Sequence, residues 1–135
     1  MDRAEIEDLA RRWIRAIAEG KLETFDALVA PDVVDRSGAA ASHGVDTFKA
    51  RAAAVRAAFT GIEIRVDDLV VEGDSIAWRW TLVGTHIGPF AGVAPTGRRA
   101  TLRGVNFQRL RGGRVVEHWT VADVFGAVQA LKAAQ

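Results

Sequence analysis

The sequence predicts an α+β domain, and three observations carry that prediction. Apolar side chains recur at helical spacing in three segments before residue 60, switch to a period of two in segments between about residues 62 and 121, and return to helical spacing from 124 onward. Helices first, then an antiparallel meander, then a closing helix is the order of a curved sheet with helices against one face. The 135 residues suit one hydrophobic core, so 1–135 is read as a single domain.

The first helix is marked by Ile6, Leu9, Ala10, Trp13, Ile14 and Ile17 on one face, with Asp2 and Glu5 placed to cap its start and Gly20 to end it. A second, short helix is expected over about 22–29, with Phe25, Leu28 and Val29 inward, and is broken by Pro31. Residues 32–44 read as a strand fragment followed by a loop. A third helix follows over about 46–59, with Phe48, Ala52, Val55 and Phe59 on its buried face. Ile62, Ile64 and Val66 alternate with charged residues as a half-buried strand. After a turn at 72–75, Ile76, Trp78, Trp80 and Leu82 alternate with Ala77, Arg79, Thr81 and Val83. A glycine- and proline-containing loop, 84–97, leads to strands over about 99–110 and 114–121, and the last helix carries Val124, Phe125, Val128 and Leu131.

Composition bounds the function. Hydrophobic residues are 49% and charged residues 26%, a globular balance, and 18 basic against 17 acidic side chains give a net charge of +1. That balance provides no basic field for nucleic acid or anionic lipid. Arg109, Arg111 and Arg114 are the densest basic cluster, and they flank a turn. Cysteine is absent, which removes disulfides, thiolate nucleophiles and Cys-based metal sites. No stretch approaches the roughly 18 apolar residues of a membrane span, and the N-terminus has no apolar signal segment, so a soluble cytoplasmic protein is expected. His43, His86 and His118 are scattered, so no metal site is expected. There is no Ser-His-Asp spacing and no phosphate-cradling glycine loop.

The last hairpin decides which polar residues share a face. A three-residue loop with Gly113 left-handed pairs Leu110 with Arg114 and sets Asn106 opposite His118, with Thr120 diagonal to Asn106. Even-numbered residues of both strands then face one side. A two-residue loop instead sets Asn106 beside Glu117 and Trp119. The left-handed preference of glycine favours the first.

Several polar side chains stand on otherwise apolar elements: Asp35 after Val33 and Val34, Arg79 between Trp78 and Trp80, Asn106 between Val105 and Phe107, and His118 and Thr120 flanking Trp119. Each has a plain alternative. Asp35 can cap or turn the chain, Arg79 can pair with a carboxylate on the outer face, His86 can be a loop histidine, and the others can be satisfied core polars. Together they fit an apolar pocket with a few convergent polar groups.

Residues 78–99, WRWTLVGTHIGPFAGVAPTGRR, with TLRGVNFQRLRGGRVVEHW at 101–119, APDVVD at 30–35 and Gly44 before the third helix, resemble the SnoaL-like polyketide cyclase family over nearly the whole chain. The resemblance implies a nuclear-transport-factor-2-like cone, a curved antiparallel sheet with N-terminal helices enclosing an apolar pocket, commonly assembled as a homodimer. It implies cofactor-free acid–base chemistry on carbon. In the family's aromatic cyclases an Asp on the last strand takes a proton beside a carbonyl and a neighbouring His assists. Those positions fall here at Thr120 and Asn106, which cannot act as general bases near neutral pH. Limonene epoxide hydrolase shares the cone with an Asp-Arg-Asp centre. Arg79 matches its Arg, but Thr81 and Thr120 stand where its carboxylates would be. Asp35 resembles the place where steroid isomerases and dehydratases of this superfamily put an acid/base residue, with His43 and His86 near enough in type to assist, and burial raises a carboxyl pKa.

The expected function is a cofactor-free cyclase, isomerase or dehydratase acting on a hydrophobic polyketide-like or polycyclic carbonyl compound. Asp35, His86, Asn106, His118 and Thr120 are its catalytic candidates, and Trp13, Phe59 and Arg79 its substrate contacts. The alternatives are a small-molecule-binding domain without chemistry and an accessory factor for oxygenation. The expected pocket measures several hundred Å3, with Trp13, Phe59, Asn106 and His118 in its wall. A homodimer is expected through the outer sheet face, with Trp78 or Trp80 outward.

Overall fold

Asp2 starts the first helix as the sequence suggests. In this computed structural model, which describes residues 1–133, the Glu5 N–H donates to Asp2 Oδ1 at 2.8 Å and the Asp2 N–H donates to Glu5 Oε1 at 3.4 Å. Helix α1 (Arg3–Glu19) ends at Gly20, whose φ of 74° is the left-handed cap. It buries Ile6, Leu9, Ala10, Trp13 and Ala16. The expected second helix is shorter: a 3-10 turn (Leu22–Thr24) runs into a single α turn, α2 (Phe25–Leu28), and Val29 already belongs to strand β1 (Val29–Asp35). Proline biases the residue before it to extended backbone, which favours strand over helix here. A two-residue β2 (Ser42–His43) follows, then α3 (Asp46–Ala58). Phe59 is not on that helix. It opens β3 (Phe59–Glu72), the first strand of a meander that continues through β4 (Ser75–His86), β5 (Arg99–Arg111) and β6 (Arg114–Ala122), each pairing with the next, before α4 (Val124–Ala133).

The six strands lie in the order β2-β1-β6-β5-β4-β3, an unclosed sheet curved around α1. The expectation of a purely antiparallel sheet needs one correction: β1 runs parallel to β6, with Asp35 beside His118. Pro31, which has no N–H to give, sits in the stretch where that ladder shifts register between Val29 and Val34.

The last hairpin takes neither simple register. Gly112 and Gly113 both have positive φ, 59° and 79°, and form a two-residue turn pairing Arg111 with Arg114. A bulge then shifts the ladder from Leu110–Val115 to Arg109–Glu117. Even-numbered residues of β5 face inward throughout, but on β6 the bulge switches the inward parity from Val115 to His118 and Thr120. The expected even-numbered face therefore holds for β6 only beyond the bulge, where Asn106 lies opposite Thr120 and Gln108 opposite His118.

Trp78 and Trp80 point inward, not outward; Trp78 is 1% exposed. Trp13 meets Phe25, Phe48 and Trp78 edge-on at centroid distances of 5.0, 5.5 and 6.4 Å, joining α1, α2, α3 and the sheet. A second apolar cluster gathers Ala58, Phe59, Leu82, Leu102 and Leu131 toward α4, and Trp80 packs against both clusters. The Trp80 ring lies across Gly104, its cross-strand partner, where a Cβ would come within 2.3 Å of the indole. Gly104→Ala is therefore expected to destabilise the fold by about 1–3 kcal/mol, because moving the ring would disturb its hydrogen bond to Asn106 and its packing on both clusters. Chemical denaturation checks this, and an unchanged midpoint would show that Trp80 is free to move.

Candidate functional site

Between the two clusters, under α1 and α3, lies a cavity of about 160 Å3, smaller than the several hundred expected from the sequence. An engineered cavity of about 150 Å3 accommodates benzene, so this one suits one or two rings. Its wall is apolar except for Arg51, Asn106, His118, Thr120 and the indole N–H groups. Trp13, Asn106, His118 and Thr120 come together there, Thr120 standing in a wall where the sequence leads one to expect Phe59.

The β4 indoles set the polar end. Trp78 Nε1 lies 3.1 Å from Gln108 Oε1, and Trp80 Nε1 lies 3.0 Å from Asn106 Oδ1. An indole N–H only donates, so each amide turns its oxygen to the indole. Gln108 Nε2 must then donate to His118 Nδ1, 3.1 Å away, and the neutral imidazole carries its proton on Nε2. Thr120 Oγ1 donates to Asn106 Oδ1 at 2.6 Å. With Asn106 Oδ1 taken by two donors, the Nδ2 hydrogens are what that amide offers the cavity. The Thr120 hydroxyl hydrogen is thereby directed at Asn106 and not at the cavity.

His118 is 1% exposed and stacks on Trp13, with ring centroids 5.1 Å apart and planes 19° apart. Burial pushes its pKa down to about 3, opposed by the Asp35 charge and assisted by Arg51. It is a neutral donor at physiological pH, and too weak a base to take a proton from carbon.

Asp35 is buried, 2% exposed, and stands beside His118 behind the cavity wall. Its Oδ1 accepts from the Ser37 N–H at 3.1 Å and from Ser37 Oγ at 2.6 Å, and its Oδ2 accepts from Arg51 Nη2. Ser37 Oγ also accepts the Thr120 N–H at 2.9 Å, tying this corner to β6. The expectation that burial raises the Asp35 pKa is reversed. Burial does push upward, but the Ser37 and Arg51 hydrogen bonds and the Arg51 charge outweigh it and hold the carboxyl below its usual range.

Three candidates lie elsewhere. Arg79 is on the exposed outer face, 4.0 Å from Asp68, as its plain alternative had it. Phe59 packs on Phe90 and His86 in the second cluster and is not part of the cavity wall. His86 is buried at the far end of β4, where its Nδ1 accepts the Thr96 N–H at 3.2 Å and its Nε2 has no partner. His43 is exposed on β2. Among the described residues no group of three or more His, Cys, Asp or Glu side chains is placed to hold a metal ion. Nor, among them, is any helix long and apolar enough to cross a membrane.

Arg51 and Gln108 escape the sequence reading. Arg51 follows Phe48 by three residues and precedes Val55 by four, the spacing of one helical face, and that was the available signal. Gln108 shares the parity of Asn106 but gains its role only through Trp78 and the observed register.

A curved, unclosed sheet whose concave face is roofed by helices around a small apolar cavity defines a nuclear-transport-factor-2-like cone. The SnoaL-like polyketide cyclase model matches residues 7–131, and the chain belongs to that family. It is 27% identical over 124 residues to the nogalonic acid methyl ester cyclase of Streptomyces nogalater, covering 87% of this chain and 90% of that one. Among solved structures, TsrD from Streptomyces laurentii superposes with a TM-score of 0.88 at 25% identity, over 100% of this chain and 99% of that one. AclR from Streptomyces galilaeus gives 0.84 at 30% identity, over 98% and 83% respectively.

Proposed function

We propose that this protein is a cofactor-free enzyme of the cyclase type, acting on a small planar carbonyl compound of polyketide-like structure. The observation that carries the reading is the pair of neutral donors, Asn106 Nδ2 and His118 Nε2, held in an apolar wall by the two indole–amide contacts. Donors fixed in an apolar site stabilise charge that develops on a carbonyl oxygen during enolisation. The proton leaves the carbon beside that carbonyl and passes through one bridging water to Asp35, the carboxylate behind the wall that Arg51 joins to it. The electron pair spreads onto the oxygen. Ring closure forms a carbon–carbon bond to a second carbonyl carbon, whose oxygen then receives the proton. A carboxylate held below its usual range suits carbon acids that are already activated, such as β-dicarbonyls.

A test is proton exchange at C2 of 2-acetyl-1-tetralone, a β-dicarbonyl, in deuterium oxide, followed by NMR, with the wild type and Asp35→Asn. The wild type should accelerate exchange and Asp35→Asn should not, while both bind the diketone. A binding domain without chemistry is the second reading. It is favoured by the absence of any carboxylate from the cavity wall among the described residues, and it gains if the wild type binds the diketone but leaves the exchange rate unchanged.

A homodimer through the outer sheet face remains part of the proposal, now on different residues. Val105, Phe107 and Val121, 41%, 37% and 74% exposed, form an apolar strip across β5 and β6. Sedimentation at micromolar concentration should give twice the chain mass, and a Val121→Lys variant should give the single chain; a wild-type monomer refutes it.

A further inference from the structure

We propose that the cavity selects planar ligands carrying a negatively charged oxygen, a carboxylate or an enolate, and that Arg51 receives that charge. This rests on reading the cavity as the substrate site and narrows the substrate to an anion.

The inventory of polar groups on the wall is one-sided. Asn106 Oδ1 is occupied by Trp80 and Thr120, and His118 Nδ1 is occupied by Gln108. The Thr120 hydroxyl hydrogen is spent on Asn106, so its oxygen is the one side-chain acceptor left on the described wall. What faces the cavity is otherwise N–H: from the Asn106 amide, from His118 Nε2 and from Arg51. A ligand with hydroxyl or ammonium donors finds almost nothing to accept them, and an unpaired buried donor is costly. A ligand with acceptor oxygens is matched at each polar point.

Arg51 adds the charge. The guanidinium has five N–H donors, and a single nitrogen, Nη2, is committed to Asp35. Its carbon lies 5.9 Å from the Phe48 ring centre, so the group is held against an aromatic face at the cavity wall while its side chain remains 39% exposed. Asp35 in turn divides itself: one oxygen serves Ser37 and the other Arg51. Arg51 is thus anchored by one edge and has donors to spare for a second anion. Planar bidentate recognition of a carboxylate is what a guanidinium does better than an ammonium. With no carboxylate on the described wall to repel it, an anion meets a cation, two neutral donors and apolar rings.

Trp13, Trp78 and Trp80 line the cavity, so their fluorescence reports binding directly. The probes are 2-naphthoate, 2-naphthalenemethanol and 2-naphthylmethylammonium, titrated at pH 7.5. Naphthoate is expected to bind at least tenfold tighter than the alcohol, and the ammonium weakest. Asp35→Asn removes the competing carboxylate and should tighten naphthoate binding further, leaving the alcohol unchanged. Asp35→Asn/Arg51→Met, which leaves no buried carboxylate without its partner, should bring the naphthoate-to-alcohol ratio close to one. Equal affinity of the wild type for naphthoate and alcohol would overturn the proposal, and so would a ratio that survives the double substitution. Neither readout depends on turnover. A preserved ratio with no diketone exchange would count against the cyclase reading alone, and a lost ratio with exchange intact would count against the anion alone.

Discussion

Asn106→Leu is expected to slow carbonyl turnover by about 10²–10³-fold, the loss typical of one donor taken from a preorganised oxyanion site. The loss should fall on kcat more than on KM, because the amide hydrogens gain most when charge reaches the oxygen. Leucine also leaves Trp80 Nε1 and the Thr120 hydroxyl without the acceptor they share at 3.0 and 2.6 Å. An orphaned buried donor costs about 1–3 kcal/mol, so stability should fall as well. Asn106→Asp separates the two effects: it keeps an oxygen for Trp80 and Thr120 but brings no N–H to the cavity. Turnover should be lost in both variants, whereas only the leucine variant should lose the donors' acceptor. Retained turnover in Asn106→Asp would remove Asn106 from the chemistry.

The second large effect is on stability against pH. His118 has a folded pKa of about 3, well below the ordinary 6.5, through burial. The folded protein therefore binds fewer protons than the unfolded chain between those values, and acid favours unfolding. The contribution of the neutral imidazole is complete above pH 6.5, erodes by about 1.4 kcal/mol per pH unit below it, and levels off near pH 3. Between pH 7.5 and 4.5 the expected loss is about 2–3 kcal/mol. The structural cause is specific: a proton on Nδ1 would face the Gln108 amide hydrogens, which Trp78 holds in place. Urea unfolding at pH 7.5, 6.0 and 4.5 measures the slope. His118→Gln, which has no imidazole to protonate, should flatten it, and equal slopes in the two proteins would refute the assignment.

Much of this fold is legible residue by residue. The apolar stripe from Ile6 to Ile17 with Asp2, Glu5 and Gly20 at its ends yields α1, because capping and periodicity are local. The alternation around Trp78 and Trp80 yields β4, although not which way the indoles face, because both neighbours, Ala77 and Arg79, tolerate either side. The parallel pairing of β1 with β6 leaves no local trace: it depends on tertiary packing between segments some 83 residues apart, as Ser37 and Thr120 show. The hairpin bulge at Val116 is similarly hidden, since two adjacent glycines permit several turns. Of the site, polarity at unexpected places marked Asp35, Asn106, His118 and Thr120. Arg51 was hidden by its type, because an arginine in a helix reads as a solvated charge until its carboxylate partner is known.

That β1–β6 ladder also governs when the site can exist. The Trp78–Gln108 and Trp80–Asn106 contacts arise within the meander, between strands joined by one loop. The Asp35–His118 neighbourhood and the Ser37–Thr120 hydrogen bond require the chain to bring its first strand back to its last. Closing so long a loop is entropically unfavourable and is rewarded only after the intervening strands have formed. During synthesis, the inner wall can assemble from the strands in sequence, while the Asp35 corner must wait until β6 has emerged. A partly made chain would thus present the indole–amide wall without its charged neighbour, and the complete chemistry would switch on last.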